Sequence, residues 1–191
     1  YNTQRRKFNR KVVLYIMERK NAWLSYGESD EKEMEKLAKD YRAFLDAGKT
    51  ERECVTELVR EAEANGYVSL EAKQAAGEKI QPGDKVYAVG MKKIMALFHV
   101  GQEPLEKGMN ILGAHIDSPR LDVKQNPLYE DTDLAYLDTH YYGGVKKYQW
   151  VALPLAIHGV IAKKDGSVVN VTIGEDENDP IVYITDLLIH L

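Results

Sequence analysis

Apolar residues recur along this chain with two different periods, and the change of period divides it. In residues 28–47, Met34, Leu37, Tyr41, Phe44 and Leu45 follow helical spacing, Ser29 or Asp30 can cap the start, and Gly48 ends the run. A second helix follows at once. Thr50 and Glu53 have the spacing of a capping box, Val55, Leu58, Val59 and Ala62 form the apolar stripe, and Asn65-Gly66 supplies the stop. The charged residues of both helices read as their wet faces, so the pair is expected to cover something else. Ahead of them, Arg5, Arg6, Lys7, Arg10 and Lys11 precede a short apolar run over residues 12–17, read as a solvated arm leading into a helix. That run is too short for the apolar core of a signal peptide.

After the turn cluster at residues 80–84 the period shortens. Residues 85–89, 93–99 and 110–116 are short runs rich in β-formers, which predict three consecutive strands in one sheet. Residues 121–124 alternate as a half-buried strand does. Residues 125–148 then read as a long irregular loop holding Asn126-Pro127, five tyrosines (129, 136, 141, 142 and 148) and Gly143-Gly144; a loop of that length serves function or assembly. Residues 155–173 form a hairpin about Asp165-Gly166, and residues 174–180 an acidic loop. Residues 181–185 predict one more strand, after which residues 186–191 begin an element the chain does not finish. The front is mixed α and β, and the back is mostly β.

The 191 residues suit one domain, or one domain with part of another. With 44% hydrophobic and 29% charged residues the balance is that of an ordinary globular protein, and a net charge of −4 gives no electrostatic case for nucleic acid or an anionic membrane. No stretch reaches the length of a membrane span. One cysteine, Cys54, excludes an internal disulfide framework and points to a reducing, cytoplasmic setting; its place in the second helix marks it as a small core residue. The chain opens on Tyr1 and closes on an apolar segment without a turn residue, so it is expected to be the front portion of a longer protein.

The candidate chemistry lies in the run Gly113-Ala-His-Ile-Asp-Ser-Pro-Arg120. In an extended chain His115 and Asp117 project to the same side, and Pro119, lacking an amide donor, ends the pairing there. Imidazole and carboxylate are both ligands for zinc and similar divalent ions. A His-x-Asp alone is equally the pattern of a surface pair or a hydrogen-bonded core histidine. His99, inside a predicted strand, reads as a core or hydrogen-bonded residue. Glu175, Asp176, Glu177 and Asp179 read as a solvated acidic face, and Asp131, Asp133 and His140 as ligand candidates only in a loose sense.

Residues 113–120, Tyr142-Gly143-Gly144 with Trp150 after it, the strand at 155–160 with its Asp-Gly hairpin, and Ile184-Thr-Asp-Leu-Leu-Ile-His-Leu191 occur in one order over essentially the whole chain. Together they resemble the aspartyl aminopeptidase and aminopeptidase I family of zinc metallopeptidases, its bacterial branch in particular. The resemblance implies an α/β catalytic domain of zinc-exopeptidase type, a mixed sheet between helices, interrupted by an inserted β-rich dimerisation domain. Residues 1–125 would be the front of the catalytic domain and residues 126–191 the start of the insertion. It further implies dimers assembled into dodecamers, and release of single N-terminal residues from peptides with two divalent ions, zinc or alternatively cobalt or manganese. By position His115 matches a metal ligand and Asp117 the catalytic carboxylate that orients it. His190 matches a histidine lent to the substrate pocket of the neighbouring subunit. The family's remaining ligands and general base lie beyond the insertion, so the fragment alone is expected to be inactive. Two rivals remain open at this level: a non-catalytic assembly or scaffold protomer of the same fold, and a small β-rich binding module with a helical cover.

Overall fold

The computed structural model describes residues 21–185. The expected arm and helix over residues 12–17, the element begun at residue 186, and His190 lie outside the described residues. The chain divides into two compact units at Tyr41/Arg42.

In the described part of the first unit, Asn21 caps a 3-10 turn at Ala22–Leu24 by accepting the Trp23 amide at 3.1 Å. Helix α1, Glu28–Ala47, begins there and runs into the second unit. Glu28, Asp30 and Glu31 in its first turn face its partial positive end. Its bounds match the expectation, but no residue of α1 is buried among the described residues, and Leu37 and Tyr41 of the predicted stripe are exposed.

The second unit is built on helix α2, Glu51–Ala64. Its capping box is complete: the Glu53 amide donates to Thr50 Oγ1, and the Thr50 amide donates to Glu53 Oε2 at 2.8 Å. After Asn65, Gly66 takes φ +81°, which lets the Tyr67 amide return to the Ala62 carbonyl. The chain then makes a two-residue strand, β1 (Val68–Ser69), and a short helix, α3 (Leu70–Ala75), capped by Ser69. Neither was expected, since both are shorter than the windows that reveal periodicity. Strands β2 (Lys85–Gly90) and β3 (Ile94–His99) pair antiparallel, and β1 adds to β2 in parallel, giving a small mixed sheet. Helix α2 packs on β2 and β3. Among the described residues, Cys54, Val55 and Ala62 from the helix with Val86 and Tyr87 from the strand are the buried ones. At 4% and 3% exposed, Val55 and Val86 each contribute about 1.5–3 kcal/mol. The Tyr87 hydroxyl, which burial would otherwise isolate, donates to Glu63 Oε1 at 2.7 Å.

Three expectations need correction. Residues 110–116 form no strand: among the described residues nothing pairs with them, Leu112 is 99% exposed, and the third strand of the sheet is β1 instead. β-forming composition makes a strand only where a ladder partner stands beside it. Residues 125–148 are largely not a loop. Strand β4, Arg120–Asp131, pairs antiparallel with β5, Leu134–Tyr142, through a two-residue turn in which Thr132 and Asp133 both have positive φ. That is the geometry of a type I′ turn, formed here without the Asn-Gly or Asp-Gly signal. Asn126-Pro127, read as part of that loop, falls in an irregularity of the ladder between Val123 and Leu128. Finally, residues 181–185 contribute only isolated bridges, Leu155 with Val182 and Val151 with Ile184. The hairpin of β6 (Ile157–Ala162) and β7 (Val168–Ile173) forms as expected, with Gly166 at φ +84° in its turn.

Candidate functional site

Although its backbone is not in a ladder, the His115 segment is held near α2. The Cys54 thiol lies 3.7 Å from the Ile116 carbonyl and 3.4 Å from that of Gly48. His115 and Asp117 converge, although the strand expected to carry them is absent. His115 Nδ1 lies 2.9 Å from the Asp117 carbonyl oxygen and 3.2 Å from Asp117 Oδ1. A carbonyl oxygen only accepts, so in the neutral ring Nδ1 carries the hydrogen and Nε2 the lone pair. The His115 side chain is 85% exposed, leaving that lone pair open to an incoming ligand.

The other carboxylate oxygen is also bound. Tyr142, the last residue of β5, donates its hydroxyl to Asp117 Oδ2 at 2.8 Å. This bond holds the Asp117 carboxyl below the usual carboxylate range and pushes the Tyr142 phenol up. Tyr142 faces Arg120 across the β4–β5 ladder, and the guanidinium carbon sits 4.2 Å from its ring centroid. Arg120 is itself fixed, by Asp122 Oδ1 at 2.7 Å and by Glu51 Oε1 of α2 at 3.0 Å. Tyr142 and Arg120 are not legible as site neighbours in the sequence, because their pairing depends on the β4–β5 ribbon, whose residues have the composition of a loop.

The remaining candidates are not drawn in. Asp131 flanks the β4–β5 turn, Asp133 lies within it, and His140 stacks on Tyr141. His99 is exposed, with no side-chain hydrogen bond among the described residues, so its reading as a core residue is corrected. Of the acidic loop, Asp179 accepts the Gly174 amide, while Glu175 is not merely solvated: its Oε1 meets His158 Nε2 at 2.9 Å. Among the described residues no group of three His, Cys, Asp or Glu side chains is arranged to hold a metal ion. A cavity of about 380 Å³ opens between the start of α2 and the β6–β7 hairpin, but neither His115 nor Asp117 lines it. What the site offers is therefore one imidazole nitrogen, with its ring orientation and tautomer fixed from behind, a donor that suits zinc.

The family described as aminopeptidase I zinc metalloprotease (M18) matches residues 44–191. A probable M18 family aminopeptidase 1 of Clostridium acetobutylicum is 59% identical over 176 residues, which make up 92% of this chain and 38% of that protein. Among solved structures, aminopeptidase I from Borrelia burgdorferi B31 superposes with a TM-score of 0.80 at 38% identity, over 88% of this chain and 41% of that one. Aminopeptidase I from Clostridium acetobutylicum gives 0.74 at 60% identity, over 90% and 38%. The chain thus spans less than half the length of the relatives it matches.

Proposed function

The chain belongs to the aminopeptidase I family of zinc metalloproteases, M18, and on that premise we propose that the full-length protein releases single N-terminal residues from peptides bearing a free amine. The observation that carries the reading is the His115–Asp117 pair, in which Nδ1 is occupied and Nε2 is turned out to solvent. His115 is then a zinc ligand through Nε2, and Asp117 the carboxylate that fixes its tautomer and raises its basicity. Bound at such a site, a divalent metal supplies Lewis acidity toward water and the scissile carbonyl. His115 contributes one donor, and Asp117 keeps the ring from turning. Two ions per subunit, with cobalt or manganese able to replace zinc, belong to the same reading, and the further ligands lie outside the described residues.

The catalytic domain gives way to an inserted β-rich domain near residue 125, where β4 is irregular. That domain mediates dimer formation, the dimers assemble into a dodecamer, and His190 reaches the substrate pocket of a neighbouring subunit. A cytoplasmic location accords with a single cysteine that is buried and free. No described helix is long and apolar enough to cross a membrane.

The test uses the full-length protein and a panel of unblocked aminoacyl substrates, before and after chelation and with zinc, cobalt or manganese restored. Release that is lost on chelation and returns with metal is expected. No release under any metal, from protein that is folded and assembled, overturns the enzyme reading in favour of a scaffold protomer.

A further inference from the structure

Asp117 presents two oxygens, and each has its own partner: Oδ1 faces His115 Nδ1 and Oδ2 takes the Tyr142 hydroxyl. Without the second bond nothing distinguishes the two oxygens, and the carboxylate of a partly exposed side chain turns about its Cβ–Cγ bond among several orientations. With it, one plane is selected. We propose that Tyr142 is a positioning residue for the metal site: its hydroxyl locks the Asp117 carboxylate so that Oδ1 stays on His115 Nδ1 and Nε2 stays aimed outward. This deepens the metal-ligand reading of His115 and rests on it.

The surroundings of Tyr142 hold its ring as firmly as its hydroxyl holds Asp117. Its cross-strand neighbour Arg120 covers one face of the ring, and Arg120 is tied in turn to β4 through Asp122 and to α2 through Glu51. On the C-terminal side, Gly143 takes φ +71°, and a Cβ placed on it would stand 3.6 Å from Pro119 Cα. The end of β5 therefore turns directly against the Ser118-Pro119 corner that follows Asp117. Residues 115–120 and 142–143, separate in sequence, form one continuous support from α2 to the imidazole.

Tyr142→Phe in the full-length protein removes only the hydroxyl and leaves a ring for Arg120 to cover. Zinc affinity, measured by competition with a chromophoric chelator, is expected to weaken by roughly 3- to 10-fold, below the 10- to 100-fold usual when an outer partner of a ligand is removed outright. kcat should fall with KM little changed, since no group that binds substrate has been touched. In a double-mutant cycle, Tyr142→Phe should have no added effect on zinc affinity once Asp117→Asn is present, because the hydroxyl acts only through that carboxylate. Assembly size and thermal midpoint near the wild-type values separate positioning from misfolding. Should Tyr142→Phe weaken zinc just as much in the Asp117→Asn background, it acts by another route and the proposal fails. If Asp117→Asn weakens zinc binding but Tyr142→Phe does not, the proposal fails while the metal-ligand reading stands. If neither Asp117→Asn nor His115→Ala changes zinc binding, the reading fails and takes the proposal with it.

Discussion

His158 Nδ1 lies 2.8 Å from Glu53 Oε1, the carboxylate whose other oxygen closes the capping box of α2 by accepting the Thr50 amide. A single side chain thus finishes a helix and anchors the first strand of a hairpin more than a hundred residues away. His158 Nε2 meets Glu175 as well. Carboxylates only accept, so both ring nitrogens must carry hydrogens and the ring is an imidazolium. Burial alone would lower the His158 pKa, but the hydrogen bonds to Glu53 and Glu175 and their charges outweigh it and raise it. For Glu53, burial works upward and is outweighed by the bonds from His158 and Thr50, which bring its pKa down.

Replacing His158 with Gln should therefore lower the stability of the protein near pH 6 by about 1–2 kcal/mol, the loss of charged hydrogen bonds discounted for the exposure of Glu175. The sign of the pH dependence follows from the two directions. The contribution of His158 is complete below its ordinary value of 6.5 and is lost as pH rises through the raised folded value. That of Glu53 is complete above its ordinary 4.5 and is lost as pH falls through the lowered folded value. Thermal midpoints of wild type and variant should differ most between these limits and converge at alkaline pH; an equal gap at pH 6 and pH 10 contradicts the pairing.

Gly48 is confined by its neighbours. A Cβ there would stand 2.8 Å from Cys54 Sγ and 3.2 Å from the Phe44 carbonyl oxygen. Gly48→Ala should cost about 1–3 kcal/mol through overpacking. Part of that cost should disappear in the Gly48→Ala, Cys54→Ala double variant, where the sulfur is gone. Denaturant midpoints of the two singles and the double measure the coupling, and strict additivity would show that the clash is absorbed elsewhere.

The Cys54 thiol is pushed up, by burial first and then by the charges of Glu53 and Glu51. Its thiolate is the reactive form, so it should react with a thiol reagent far more slowly in folded protein than in denaturant at the same pH. Comparable rates in the two states would show that the site opens readily.

For the metal site, His115→Ala in the full-length protein should remove one zinc ion per subunit and reduce activity to background. Asp117→Asn should weaken zinc by roughly 10- to 100-fold without unfolding the protein. Metal analysis after dialysis against a weak chelator reads both, and unchanged zinc content in His115→Ala excludes it as a ligand.

What the amino-acid sequence revealed of this protein followed the range of the forces involved. The Thr50–Glu53 box, the Gly48 stop and the Asp165-Gly166 hairpin rest on neighbours within a few residues, and each formed where its pattern stood. His115 and Asp117 meet without the strand from which their convergence was expected, because two residues of separation keep the side chains within reach of each other whether or not the segment pairs. The β4–β5 ribbon was not legible, since Thr132 and Asp133 adopt left-handed conformations that their identities do not announce. The contacts of His158, Arg120 and Tyr142 were illegible for a different reason. Their partners Glu53, Glu51 and Asp117 are brought to them only by the fold. The apolar run at 110–116 marks the opposite error, a strand composition with no described ladder to join.

Between Val123 and Leu128, five residue steps along β4 are matched by two along β5, from Thr139 to Leu137. An odd count set against an even one reverses parity, so the face that carries Arg120 and Asp122 before the irregularity carries Tyr129 after it, where that ring stacks on Tyr136. The segment works as a phase shifter. Adding or removing one residue there changes only the irregularity itself, because the two-residue turn keeps Tyr129 opposite Tyr136 on one side and the ladder keeps Arg120 opposite Tyr142 on the other. The ribbon can thus absorb a change of length at this one point while the end beside His115 and Asp117 stays in register.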